Sequence, residues 1–126
     1  MRDWNQLKER FLRDGVPIRL GELASNLSRI KAFSCEETLQ QAVEQMLQET
    51  RFFIEWTVNE VEANVAVELN ELQAQLTQWQ GDFSNIWANP SQRARLSEQA
   101  RIWSDRILER SGLLLESVPL SKHTQC

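Results

Sequence analysis

Carboxylates are the side chains of this chain whose spacing comes nearest to chemistry. Glu68 and Glu71 are three residues apart and would share one face of a helix, with Glu60 and Glu62 just upstream. Helical metal enzymes build centres from such glutamates, either joined by Glu-x-x-His motifs or, for magnesium, set out as Glu-Glu-x-x-Glu with a later Glu-x-x-Asp. The single histidine is His123, close to the C-terminus, and Glu36-Glu37 is followed by Leu39 and Gln40 instead of a third glutamate. A histidine-containing two-metal centre is therefore excluded, and these carboxylates read as a solvated acidic face. No metal and no cofactor are expected, and a carboxylate-metal helical enzyme stands last among the functional readings.

Nucleophilic catalysis has no better footing. Neither Cys35 nor Cys126 has a histidine near it in sequence, and there is no Gly-x-Ser-x-Gly elbow or glycine-rich phosphate loop. Cys35 opens a predicted helix, where a thiol pKa can fall. Its plainer reading is a helix-start residue tucked against Phe33. The two cysteines lack metal spacing, and in a reducing compartment they are expected to stay unpaired. No catalytic residue is assigned.

Basic residues suggest nucleic acid in two places. The helices either side of Gly15 have the outline of a helix-turn-helix, with Asn26, Ser28, Arg29 and Lys31 on or near the polar side of the second. The final helix carries Arg93, Arg95, Arg101, Arg106 and Arg110, but these scatter around its circumference and make no phosphate-tracking stripe. With a net charge of −4, nucleic acid is not the expected partner; regulatory nucleic-acid binding by the N-terminal helix pair is the second functional reading.

Five tryptophans are many for 126 residues, and tryptophan with arginine is the pairing favoured in binding hot spots. Trp4, Trp79 and Trp103 fall on apolar helical seams, whereas Trp56 and Trp87 lie off them. The expected contact residues are Phe52, Phe53, Trp56, Val61, Val65 and Trp87.

These residues need helices to present them. There is no tyrosine, alternating runs are few, and Gln, Glu, Leu, Ala and Arg abound, so the chain reads as all-α. Asp3, with Gln6 three residues on, caps a first short helix through Trp4, Leu7 and Phe11 that Asp14-Gly15 stops. Leu20, Leu23, Leu27 and Ile30 mark a second, running to about Ala32. Ser34 and Glu37 form an S-x-x-E capping box, after which residues 35–80 contain no glycine or proline and hold nine acidic side chains against one base, Arg51. This stretch reads as one long central helix.

Its seam runs from Leu39 through Val43, Met46, Thr50, Phe53, Thr57, Val61, Val65, Leu69, Leu72 and Leu76 to Trp79. The mean step of about 3.6 residues is that of a nearly straight helix, above the 3.5 of a left-handed coiled coil. Phe52, Ile54, Trp56 and Val58 widen the apolar surface at its centre, so two faces need cover. A competing arrangement breaks the helix near 57–64, where Thr57, Asn59 and Asn64 stand, and folds it back as a hairpin. Gly81 ends the segment, residues 82–88 form a connection with three large apolar residues, and Asn89-Pro90 starts a last helix through Leu96, Ala100, Trp103 and Ile107, closed by Ser111-Gly112.

The expected architecture is thus an all-α helical bundle around one long central helix, about 35–80, with two short N-terminal helices and one C-terminal helix. Residues 1–120 form a single domain and 121–126 a frayed tail. Residues 35–80 are acidic, while the flanks are net basic, so the flanks should complement the centre. No apolar run approaches the ~20 residues of a membrane span, and no secretion signal opens the chain; a cytoplasmic protein is expected. The leading functional expectation is a non-enzymatic interaction or assembly protein, an adaptor or scaffold, that self-associates as a homodimer through the central helix and takes a further protein partner.

Overall fold

The computed structural model describes residues 3–112. The expected docking of 113–120, the frayed end 121–126, His123 and Cys126 lie outside the described residues. Six α-helices follow one another: α1 (Trp4–Leu12), α2 (Val16–Phe33), α3 (Gln40–Glu55), α4 (Ala63–Gly81), α5 (Phe83–Ala88) and α6 (Pro90–Ser111), with 3-10 turns at Glu37–Leu39 and Val58–Glu60. No strand occurs among the described residues.

The chain is all-α, but the expected single helix over 35–80 is two helices folded into an antiparallel hairpin. Helix α3 stops at Glu55 and α4 begins at Ala63; the Gln73 side chain donates to the Arg51 carbonyl (3.2 Å) and Gln80 Nε2 to Gln48 Oε1 (3.2 Å), so the two run side by side. The break needs neither glycine nor proline. Thr57, Val58, Asn59 and Val61 are poor helix formers, each weaker than alanine by roughly 0.5 kcal/mol, and that small local deficit lets tertiary packing decide. A hairpin brings Val43, Leu47, Phe53 and Ile54 into the same core as Leu69, Leu72, Leu76 and Trp79, whereas a rod would leave one of its two apolar faces wet.

The Ser34-Glu37 capping box is not formed either. Ser34 Oγ is buried and donates to the Ile30 carbonyl (2.6 Å), closing α2 instead of opening a helix, and the 3-10 turn delays α3 to Gln40. Cys35 follows it and is disulfide-bonded, against the expectation of an unpaired thiol.

Four long helices alternate in direction around one core. Helices α2 and α6 are the closest pair, because small buried side chains, Ala24 on α2 and Ser97, Ala100 and Ser104 on α6, let the backbones approach. Ser97 Oγ donates to the Lys31 carbonyl (2.9 Å) and Ser104 Oγ to the Ala24 carbonyl (2.8 Å), which fixes the antiparallel register. Helix α3 packs on α2, α4 on α3, and α4 meets α6 through ion pairs that close the ring.

The other caps form as expected. Asp3 Oδ1 accepts from the Gln6 amide (3.0 Å), Asn89 Oδ1 accepts from Ser91 and Gln92 (2.9 and 3.3 Å) with Pro90 in the first turn of α6, and Gly112 ends α6 with φ +75. The connection at 82–88 is helix α5, with Phe83, Ile86 and Trp87 turned into the core.

Candidate interaction surface

Helix α1 is nine residues long, below the ~12–15 that an isolated helix needs in water. It exists because its apolar side is docked. Trp4, Leu7 and Phe11 repeat at helical spacing and meet the most aromatic segment of the chain, Phe52-Phe53 and Trp56 on α3. Phe11 stacks on Phe53 (centroids 4.1 Å apart, planes at 7°), Trp4 meets Phe52 edge-on (4.8 Å), and Phe52 stacks on Trp56 (5.3 Å, planes at 4°). Lys8 Nζ lies 5.8 Å from the Trp56 ring centroid. Such pairs add about 0.5–1.5 kcal/mol each beyond burial.

The docking is made by long side chains alone. The backbone of α1 makes no extended close approach to any other described helix, and a groove of about 320 Å³ lies between α1, α2 and α3. Leu7, Met46 and Phe53 supply its apolar lining; Arg10, Glu22, Arg29 and Glu49 supply charges of both signs. At its floor the buried Asn26 is held on three sides: its Nδ2 donates to Glu49 Oε1 (3.2 Å) and Thr50 Oγ1 (3.4 Å), and its Oδ1 accepts from Arg29 Nη2 (3.3 Å).

The expected contact residues separate into two groups. Phe52, Trp56, Val61 and Val65 are partly exposed, the first two in the aromatic stripe with Trp4. Phe53 and Trp87 retain 3% and 4% of their surface, so their rings serve the monomer's own core. Trp87 Nε1 donates to the Glu37 carbonyl (2.9 Å), which pins α5 to the turn before α3, and the Arg93 guanidinium lies 5.5 Å from its ring.

Two charged constellations carry no motif that would mark them in the sequence. Arg19, buried, joins the two chain reversals at one end of the bundle: its Nε donates to the Asp14 carbonyl (2.8 Å), and its Nη1 and Nη2 donate to the Glu60 carboxylate (3.2 and 3.1 Å). These hydrogen bonds, and then the guanidinium charge, hold the Glu60 carboxyl below the usual 4.5. Glu68, buried in α4, takes Arg106 on one carboxylate oxygen (Nη2, 2.7 Å) and Arg110 on the other (Nε, 2.7 Å), while Arg106 also lies over the Trp103 ring at 4.0 Å. Glu71 is 3.7 Å from Arg106. The sign of these pairs is legible from composition, acidic centre against basic flanks; their partners need the hairpin.

The same contacts bear on the other chemistries. Both oxygens of Glu68 are engaged by guanidinium groups, and among the described residues no three metal-ligating side chains converge. Helix α2, the second of the pair with a helix-turn-helix outline, buries Arg19, Leu20, Leu23, Ala24, Asn26, Leu27 and Ile30 and packs on α6 and α3, while Ser28 and Arg29 are exposed and Lys31 partly so. On α6, Arg101 pairs with Glu98 and Asp105, and Arg106 and Arg110 with Glu68, so three of the five arginines are in ion pairs within the chain and a fourth, Arg93, lies over the Trp87 ring.

A second groove, about 330 Å³, lies between α4, α5 and α6, with Gln75, Gln78, Gln92 and Gln99 around Trp79, Ile86 and Leu96. No described helix is long and apolar enough to cross a membrane. No protein-family profile, curated protein or solved structure matches this chain.

Proposed function

We propose that this chain is a non-enzymatic helical interaction protein of the adaptor or scaffold kind, which self-associates as a homodimer through the aromatic face shared by α1 and α3. The observation that carries this reading is the contiguous trio Trp4, Phe52 and Trp56, left partly exposed, as Phe33 is elsewhere, although the six other large aromatic rings, those of Phe11, Phe53, Trp79, Phe83, Trp87 and Trp103, are buried. Half-covered tryptophan and phenylalanine rings beside a lysine are the usual anchors of a protein contact, since they remove much apolar area at low side-chain entropy cost. Phe52, Trp56, Val61 and Val65 remain the contact residues; the buried ring of Phe53 supports them from within, whereas Trp87 is buried at the other end of α3 and takes no part.

Light scattering across the micromolar range tests it. The mass is expected to rise above the 14.7 kDa of one chain, and Trp56→Ala, checked for retained helicity by circular dichroism, is expected to return it toward that value. A mass of 14.7 kDa at every concentration, with or without the substitution, would overturn the reading.

A further inference from the structure

We infer that α1 is an exchangeable arm: in the dimer, α1 of one copy lies on α3 of the other, pivoting on residues 13–15. The inference rests on the self-association proposed above and specifies its geometry. Four observations lead to it. Helix α1 is too short to stand alone, so once released it must find an equivalent aromatic face, and a second copy offers the same one. It is held by side chains over a groove, without close backbone packing, so release gives up mainly the Leu7 and Phe11 packing, which exchange restores, and the Arg19 bond to the Asp14 carbonyl.

The connection to α2 is three residues, Arg13, Asp14 and Gly15, and a connection this short is one that domain exchange commonly uses as its hinge. Three large hydrophobic side chains are exposed among the described residues, and two of them flank this hinge: Leu12 at 38% and Ile18 at 45%. In an exchanged dimer the two hinges come together, which gives Leu12 and Ile18 a partner in their own counterparts. Area points the same way. Three rings already more than half covered leave no more than about 300 Å² to bury, whereas a stable dimer needs on the order of 800 Å² from each copy. Side-by-side docking on the stripe alone falls short; exchange turns the arm contact, already made within each copy, into an intermolecular one, and its net gain comes from the hinge region.

Full-length variants test the exchange. Trp4→Ala weakens the arm and Phe52→Ala weakens the face, and both positions are partly exposed, so both variants are expected to fold. In a mixture, exchange restores one native Trp4–Phe52 contact that neither variant can form alone, so the mixed dimer should be about two- to tenfold tighter than either homodimer. Four Gly-Ser residues inserted between Arg13 and Asp14 keep the Arg19 bonds to the Asp14 and Gly15 carbonyls and let α1 reach its own α3; dissociation should become at least about tenfold easier. Both results together support the exchange. A dimer indifferent to mixing and to the insertion overturns the exchange and leaves self-association standing, whereas a wild-type monomer at all concentrations overturns both.

Discussion

Thr57→Val should make the protein more stable. Thr57 sits just past the end of α3 with none of its surface exposed, and its hydroxyl has no hydrogen-bond partner among the described residues. A buried unpaired hydroxyl costs about 1–3 kcal/mol relative to its solvated state in the unfolded chain. Valine keeps the branched shape, tolerates the φ of −121 found there, and replaces the hydroxyl by a methyl suited to the core. Because the residue lies outside both helices, helix propensity hardly enters. The expected gain is about 1–2 kcal/mol, which for a domain of this size raises the melting temperature by about 3–8 °C. Thr57→Ser keeps the hydroxyl and removes the methyl, so it should lose about 1 kcal/mol. Urea and thermal unfolding of the three proteins, followed by circular dichroism, should give the order Val, Thr, Ser. A valine variant less stable than wild type would refute the reasoning, since it would mean that the hydroxyl is hydrogen-bonded and holds the reversal.

Four further outcomes can be checked in the same unfolding assay. Arg19→Ala removes the link between the α1–α2 and α3–α4 reversals and should cost about 2–3 kcal/mol, with Arg19→Lys recovering only part of it because lysine lacks the forked geometry. Arg19 holds the Glu60 carboxyl below its usual value, so this contribution is present above the ordinary glutamate range and is lost as pH falls through the depressed value; between about pH 6 and about pH 3, Glu60→Gln should show a shallower decline than wild type. Glu68→Gln leaves Arg106 and Arg110 facing a neutral amide and should cost about 1–3 kcal/mol, at the lower end because both guanidinium groups reach solvent. Asn89→Ala removes the acceptor for two amides at the start of α6 and should cost about 1 kcal/mol.

Legibility in the sequence followed the range of the interaction concerned. The caps at Asp3 and Asn89, the glycine end at Gly112 and the buried faces Leu20-Leu23-Leu27-Ile30 and Leu96-Ala100-Trp103-Ile107 were readable because each depends on neighbours within four residues. Ser34 misled for the same reason: an S-x-x-E signature fits two local uses, and the hydroxyl bonds backward to Ile30. The aromatic face was half legible. Phe52 and Trp56 stood out on α3, but Trp4 read only as a seam residue of its own helix. Trp4, Leu7 and Phe11 line one side of a helix too short to stand alone, so they need an apolar platform, and the segment richest in rings supplies it.

By itself the sequence determined the helical class, most helix ends, the apolar faces and the match between an acidic centre and basic flanks. Periodicity, capping and composition are short-range properties and survive in any arrangement of the helices. Only the tertiary structure decided that residues 35–80 reverse at 56–62, that Arg19 reaches Glu60, that Glu68 lies between Arg106 and Arg110, and that α1 covers the aromatic face of α3. Local preferences near Thr57 differ from those of a continuous helix by a few tenths of a kcal/mol per residue. Burying two apolar faces in one core is worth several kcal/mol, and so burial, not local preference, set the fold.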